Sequence, residues 1–98
     1  MTTLNSLISS PRPVLIDFIK DRNDACNAMN PILETAKGIV GDCATIIKIN
    51  IDKNPDLVRL YNLHAFPTLI LFKDGKLIWR QNGIVAGGEL VKQLIHNC

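Results

Sequence analysis

Two short, nearly uninterrupted apolar segments, VLIDFI (14–19) and TIIKINI (45–51), flank a stretch with the periodicity of a helix. Runs of strand-forming residues without polar alternation read as strands buried on both faces, and Asp17 is the one polar interruption of the first. Between them, Asn23 or Asp24 can cap a helix that continues to about Lys37, with Met29, Ile32, Leu33 and Ala36 at three- and four-residue spacings. Gly38 and Gly41 supply its stop. A strand, helix, strand unit pairs its strands in parallel through a right-handed crossover, which commits the chain to a sheet covered by helices.

The remaining segments complete that sheet. FPTLILF and KLIWRQ flank Asp74-Gly75, a hairpin signal because both residues tolerate positive φ, so the last two strands are antiparallel neighbours. Leu4, Leu7 and Ile8 behind Thr3 as N-cap suggest a short opening helix ended by Pro11 and Pro13. NPDLVRLYNL places Asn54 at a cap and Pro55 at a first helical position. A closing helix puts Leu90, Val91, Leu94 and Ile95 on one face. The expectation is one α/β domain over residues 1–98, a three-layer sandwich with a four-stranded mixed sheet flanked by helices.

A chain of 98 residues buries roughly 60 to 70 % of its unfolded surface, so a core can form without a disulfide staple. The hydrophobic fraction of 47 % supports that core, and a net charge of +2 without a Lys/Arg cluster argues against nucleic-acid or anionic-membrane partners. MTTLNSLISS lacks the basic start and apolar stretch of a secretory signal, and the apolar runs are too short to span a bilayer; the expectation is a cytoplasmic monomer. Three cysteines are an odd number, and a reducing compartment would keep them as thiols. Cys43 reads as a small packing residue and Cys98, at the end of the sequence, as mobile. His64 and His96 lack partners at metal-ligand spacing, so no metal and no cofactor is expected. DKNPD (52–56) begins like a calcium loop, but Leu57 and Leu63 occupy the required glycine and glutamate positions. GIVAGGEL lacks the Gly-Lys-Ser/Thr of a phosphate loop, and the two histidines cannot complete a nucleophilic triad.

Several stretches together resemble the thioredoxin family: VLIDF (14–18), PILE (31–34), KINID (48–52), HAFPT (64–68), then LILFKDGK and Gly83. The resemblance runs in order from about Val14 to Ile95. It departs in two places. The family normally begins with an extra N-terminal edge strand for which this sequence starts too late, so four strands are expected rather than five. Where the family carries Trp-Cys-Gly-Pro-Cys, this chain has Arg22, Asn23, Asp24, Ala25 and Cys26.

In the family, the outer cysteine attacks as a thiolate favoured by the helix N-terminus, and the inner one resolves the mixed disulfide. Asn23 stands in the attacking position and cannot attack sulfur, but it is a good N-cap. Cys26 matches the shielded, resolving cysteine; burial and the nearby Asp24 are expected to disfavour its thiolate, against the pull of the helix N-terminus. The resemblance further implies that Asp17 lies beneath Cys26, is approached by Lys48, titrates high and accepts the thiol proton. Pro67 matches the family's cis-proline, whose neighbouring backbone pairs with an extended peptide. Phe66, Thr68, Gly83 and Ile84 would line that edge, made more polar by Arg22 and Asn82, although Phe66 packing inward and Pro67 shaping a turn would also explain them. Two functions follow as expectations. One is thiol redox work with a degenerate site, unable to exchange dithiols and at most a slow monothiol at Cys26. The other is a redox-inactive module that binds an extended polypeptide at the proline edge. The partner in either case is a protein or peptide, in the first case one bearing a thiol.

Overall fold

A computed structural model describes residues 4–98. In chain order the elements are α1 (Leu4–Ile8), β1 (Val14–Ile19), α2 (Asp24–Val40), a 3-10 turn (Gly41–Cys43), β2 (Thr45–Asn50), α3 (Asp56–Leu60), β3 (Thr68–Lys73), β4 (Lys76–Asn82) and α4 (Gly87–His96). The Thr3 cap of α1 lies outside the described residues. The sheet has four strands in the order β2-β1-β3-β4. β1 pairs with β2 in parallel and with β3 antiparallel, and β3 with β4 antiparallel. The mixed, helix-flanked α/β sandwich expected from the apolar runs is the fold observed. No helix among the described residues is long and apolar enough to cross a membrane.

Strand alternation divides the core into two layers. Leu15, Leu69 and Leu71 pack with Met29, Leu33 and Ala36 of α2 and with Leu90 and Leu94 of α4. On the opposite face, Val14, Ile16, Phe18, Ile70 and Phe72 pack with Ile8, Ile51 and Leu63, with Tyr61 and Phe66 against them. Each fully buried Leu, Ile or Phe contributes roughly 1.5–3 kcal/mol. Asp17, two residues beyond Leu15 and fully buried, therefore points its carboxylate toward the α2/α4 layer.

Local chemistry sets the boundaries. Asp74 and Gly75 adopt φ of 54° and 80°, the geometry that a two-residue hairpin demands, and their N–H groups donate to the Ser10 and Ile8 carbonyls. That contact ties the tail of α1 to the turn. α2 runs past Gly38 and ends at Gly41, which at φ 54° donates its N–H to the Lys37 carbonyl. Gly38 is exposed within α2, which continues to Val40, so it does not stop the helix. The side chain of Asn54 does not cap α3; it donates to the Asn50 carbonyl at 3.0 Å, and α3 starts at Asp56 behind Pro55. Ile95 is 53 % exposed and lies off the buried face of α4.

The largest correction concerns sulfur. Cys43 and Cys98 are neither separate packing residue nor mobile end: they form a disulfide with a Cα–Cα distance of 5.6 Å across a sequence separation of 55. The 3-10 turn before β2 and the end of α4 converge at the base of the sheet, where Lys73 Nζ also donates to the Asn97 carbonyl at 2.9 Å.

Candidate functional site at the start of α2

The parallel β1–α2–β2 unit delivers the β1–α2 turn to the carboxyl end of β1, the usual location of sites in such sheets. Arg22 takes φ 54° in this turn, the left-handed region that costs a non-glycine residue about 1 kcal/mol. It is exposed. Asn23 follows in extended conformation (φ −117°, ψ 116°), and its Oδ1 accepts the Cys26 N–H at 2.9 Å. The side chain thus satisfies an amide that helix geometry leaves open. Asp24 is exposed in the first turn, where the helix dipole favours a negative charge, and Ala25 is half-buried. Cys26 is the free cysteine, 4 % exposed.

Burial pushes the Cys26 thiol above its ordinary range; the Lys20 backbone N–H pulls it down, and the Asp17 carboxylate pushes it up. The expected charge from Asp24 is replaced by that of Asp17, which acts from the strand beneath. Both carboxylate oxygens of Asp17 are buried with no hydrogen-bond partner among the described residues. Desolvation raises its pKa to about 6, and the positive charge of Lys48 works in the other direction. Lys48 is Asp17's partner in the β1/β2 register and is itself exposed, so it acts through its charge and is not a member of a buried triad. The structure thus brings Asp17 and Cys26 into electrostatic contact, with Lys48 at the rim.

The raised Asp17 pKa makes stability depend on pH. A carboxyl that titrates at about 6 when folded and at 3.8 when unfolded contributes most below 3.8, and that contribution is lost as pH rises through 6. The loss is roughly 3 kcal/mol. Asp17→Asn should therefore match the parent in urea unfolding near pH 3.5 and exceed it by about 2–3 kcal/mol at pH 8. A difference independent of pH would contradict the assignment.

The second wall is the segment before β3. The Phe66–Pro67 peptide bond is cis. Thr68 pairs with Phe18 at the end of β1, which sets the segment at the same end of the sheet as the α2 N-terminus. Pro67 and Thr68 are buried. The Gly83 N–H donates to the Pro67 carbonyl at 2.6 Å, and the Thr68 hydroxyl lies 3.3 Å from Asn82 Oδ1. Gly83 has φ 86°, a conformation that glycine adopts freely. Phe66 is half-buried and packs inward on the α1/α3 layer, whereas Ile84 is 47 % exposed. Among the described residues, the loop hydrogen bonds include none to the Phe66 backbone.

One contributor escaped the sequence reading. Arg80 donates to the carbonyls of Tyr61 and Asn62 and holds the loop that leads to Phe66. It acts on backbone groups remote in sequence, and no local motif marks it. No group of three or more His, Cys, Asp or Glu among the described residues is arranged to hold a metal.

Residues 2–96 match the family described as Thioredoxin. Thioredoxin-like protein slr0233 of Synechocystis is 36 % identical over 88 residues, which are 90 % of this chain and 84 % of that protein. Chloroplastic thioredoxin Y2 of Arabidopsis thaliana is 39 % identical over 88 residues, covering 90 % of this chain and 53 % of its own length. This chain therefore spans about half of that longer relative. Thioredoxin-2 of a malaria parasite superposes with a TM-score of 0.83 at 21 % identity, over 87 % of this chain and 82 % of that one. With the fold, the order of its motifs and nearly its whole length in agreement, the chain belongs to the thioredoxin family.

Proposed function

We propose that this protein serves thiol redox homeostasis with a degenerate site at the start of α2, unable to exchange dithiols there and limited to slow monothiol chemistry at Cys26. The observation that carries this reading is the occupant of the capping seat: Asn23 Oδ1 takes the Cys26 amide. A group that fills this place by hydrogen bonding stabilises the helix and supplies no electrons. Cys26 retains a sulfur, a carboxylate that can accept its proton, and a position at a helix start, but burial and the Asp17 charge both hold it as thiol. Its partner in this reading is a thiol-bearing protein or peptide, met by a cytoplasmic monomer.

One observation favours the second reading, in which the protein binds an extended polypeptide without electron transfer. Among the described residues the Phe66 backbone makes no loop hydrogen bond, beside half-buried Gly83 and exposed Ile84, an edge suited to strand addition. The Gly83 N–H on the Pro67 carbonyl and the Thr68 hydroxyl on the Ala65 carbonyl shape that edge.

Alkylation of Cys26 against pH, in a Cys43→Ala/Cys98→Ser variant, separates the two. Slow monothiol chemistry predicts labelling of the folded protein at a rate at least ~10-fold below that of an unfolded cysteine at pH 7, and still rising with pH where labelling of the unfolded cysteine has levelled off. Protection at every pH until unfolding would eliminate the monothiol reading and leave binding. Rapid labelling at pH 7 would contradict the shielding of Cys26.

A further inference from the structure

The pair at the base of the sheet has a chemistry that the α2 site lacks. We infer that Cys43 and Cys98 are a second thiol–disulfide site, which a small thiol opens and a small disulfide closes without unfolding the protein. It lies at the amino end of β2 and past the end of α4, at the end of the sheet opposite Cys26. Two features distinguish it from a buried staple.

The first is access. As whole residues Cys98 is exposed and Cys43 half-buried, and Cys98 Sγ is part-buried, so the Cys98 side of the bond is the more open to an incoming thiolate. The second is independent anchoring. Leu90 and Leu94 are fully buried against α2, Lys73 Nζ holds the Asn97 carbonyl, and Asn97 Nδ2 donates to the Gln93 carbonyl at 2.8 Å. The Cys98 N–H donates to the Ile95 carbonyl at 3.1 Å. These contacts do not depend on the disulfide, so the two sulfurs stay adjacent when the bond opens and are placed to close again. Cys98 Sγ also lies 3.1 Å from the Leu94 carbonyl oxygen, an acceptor for its S–H in the open state.

The exchange balances with a monothiol such as glutathione. Its thiolate attacks Cys98 Sγ, a glutathione–Cys98 bond forms, the Cys43–Cys98 bond breaks, and the electron pair leaves on Cys43, which takes a proton from water. A second glutathione thiolate attacks the glutathione sulfur of the adduct, so that oxidised glutathione departs and Cys98 is released and protonated. Two electrons have passed from two glutathiones to the protein, and oxidised glutathione drives the same steps in reverse.

The test equilibrates the full chain in glutathione buffers of graded ratio, quenches with acid and maleimide, and counts labels by mass, with circular dichroism recorded in parallel. Two thiols should appear together as the buffer becomes reducing while the folded signal persists, and Cys26→Ser should titrate in the same way. Cys43→Ala should trap glutathione on Cys98 at least ~10-fold faster than Cys98→Ser traps it on Cys43, because exposure controls attack. Failure of the pair to close in oxidised glutathione, or opening only at denaturant concentrations that unfold the protein, would overturn the inference.

Discussion

Asn23→Cys should convert this protein into one that turns over disulfides. Positions 23 and 26 are three apart at a helix start, where Cα atoms stand about 5 Å apart, inside the range that a disulfide spans. Cys at 23 would sit where the amides of the first α2 turn favour a thiolate, with Cys26 behind it as resolving thiol. The substitution removes the Asn23 side-chain bond to the Cys26 amide, at a cost of about 1 kcal/mol. In a coupled assay with a small disulfide as oxidant, Asn23→Cys should gain reductase activity over the parent, and Asn23→Cys/Cys26→Ser should stop at a single mixed disulfide. The parent must be measured beside them, because Cys43 and Cys98 supply any background exchange. A variant that forms no 23–26 disulfide while keeping its fold would mean that the Cys26 sulfur does not face the position 23 side chain, and the degenerate-site reading would lose its geometric basis.

The sequence was most legible where a residue's role is decided by its immediate neighbours. The apolar run of β1, the Asp74-Gly75 turn and the capping character of Asn23 all depend on side-chain period or φ preference, and each element formed where those preferences pointed. Cap positions were less legible where two residues compete. Asn54 bonds back to Asn50 because the chain turns directly after β2, and Pro55 then leads into α3. Ile95 follows helical spacing, but it lies 53 % exposed, while Leu90 and Leu94 of α4 are fully buried in the layer shared with α2.

The placement of Asp17 beneath the start of α2 was legible, and the electrostatics around Cys26 less so. Asp24 is only two residues before Cys26, yet Asp17 is the carboxylate that bears on the thiol, because the strand runs beneath the helix start and burial strengthens the charge. Lys48 faces Asp17 in register, but its stem carries the ammonium to solvent, as long cationic side chains do. The Cys43–Cys98 pair could not be read at all. Its formation depends on where α4 docks after the sheet is complete, and an odd cysteine count leaves every pairing open.

Loss of that disulfide should produce the largest change in stability. Cross-linking across a separation of 55 residues removes unfolded-state entropy worth about 4 kcal/mol. Cys43→Ala/Cys98→Ser, or the parent held in reductant, should therefore lose about 4 kcal/mol in urea unfolding, and the melting temperature should fall by roughly 15–30 °C. The two preparations should agree, since both lack the same cross-link, and added reductant should leave the double variant unchanged. Domains of this kind carry about 5–15 kcal/mol in total, so the reduced protein should stay folded at room temperature while its margin narrows. The Leu90 and Leu94 contacts that keep α4 docked do not respond to reduction, and so opening should shift the unfolding transition without altering the native far-ultraviolet signal. A double variant within 1 kcal/mol of the oxidised parent would show that the cross-link does not restrain the unfolded chain as its span requires.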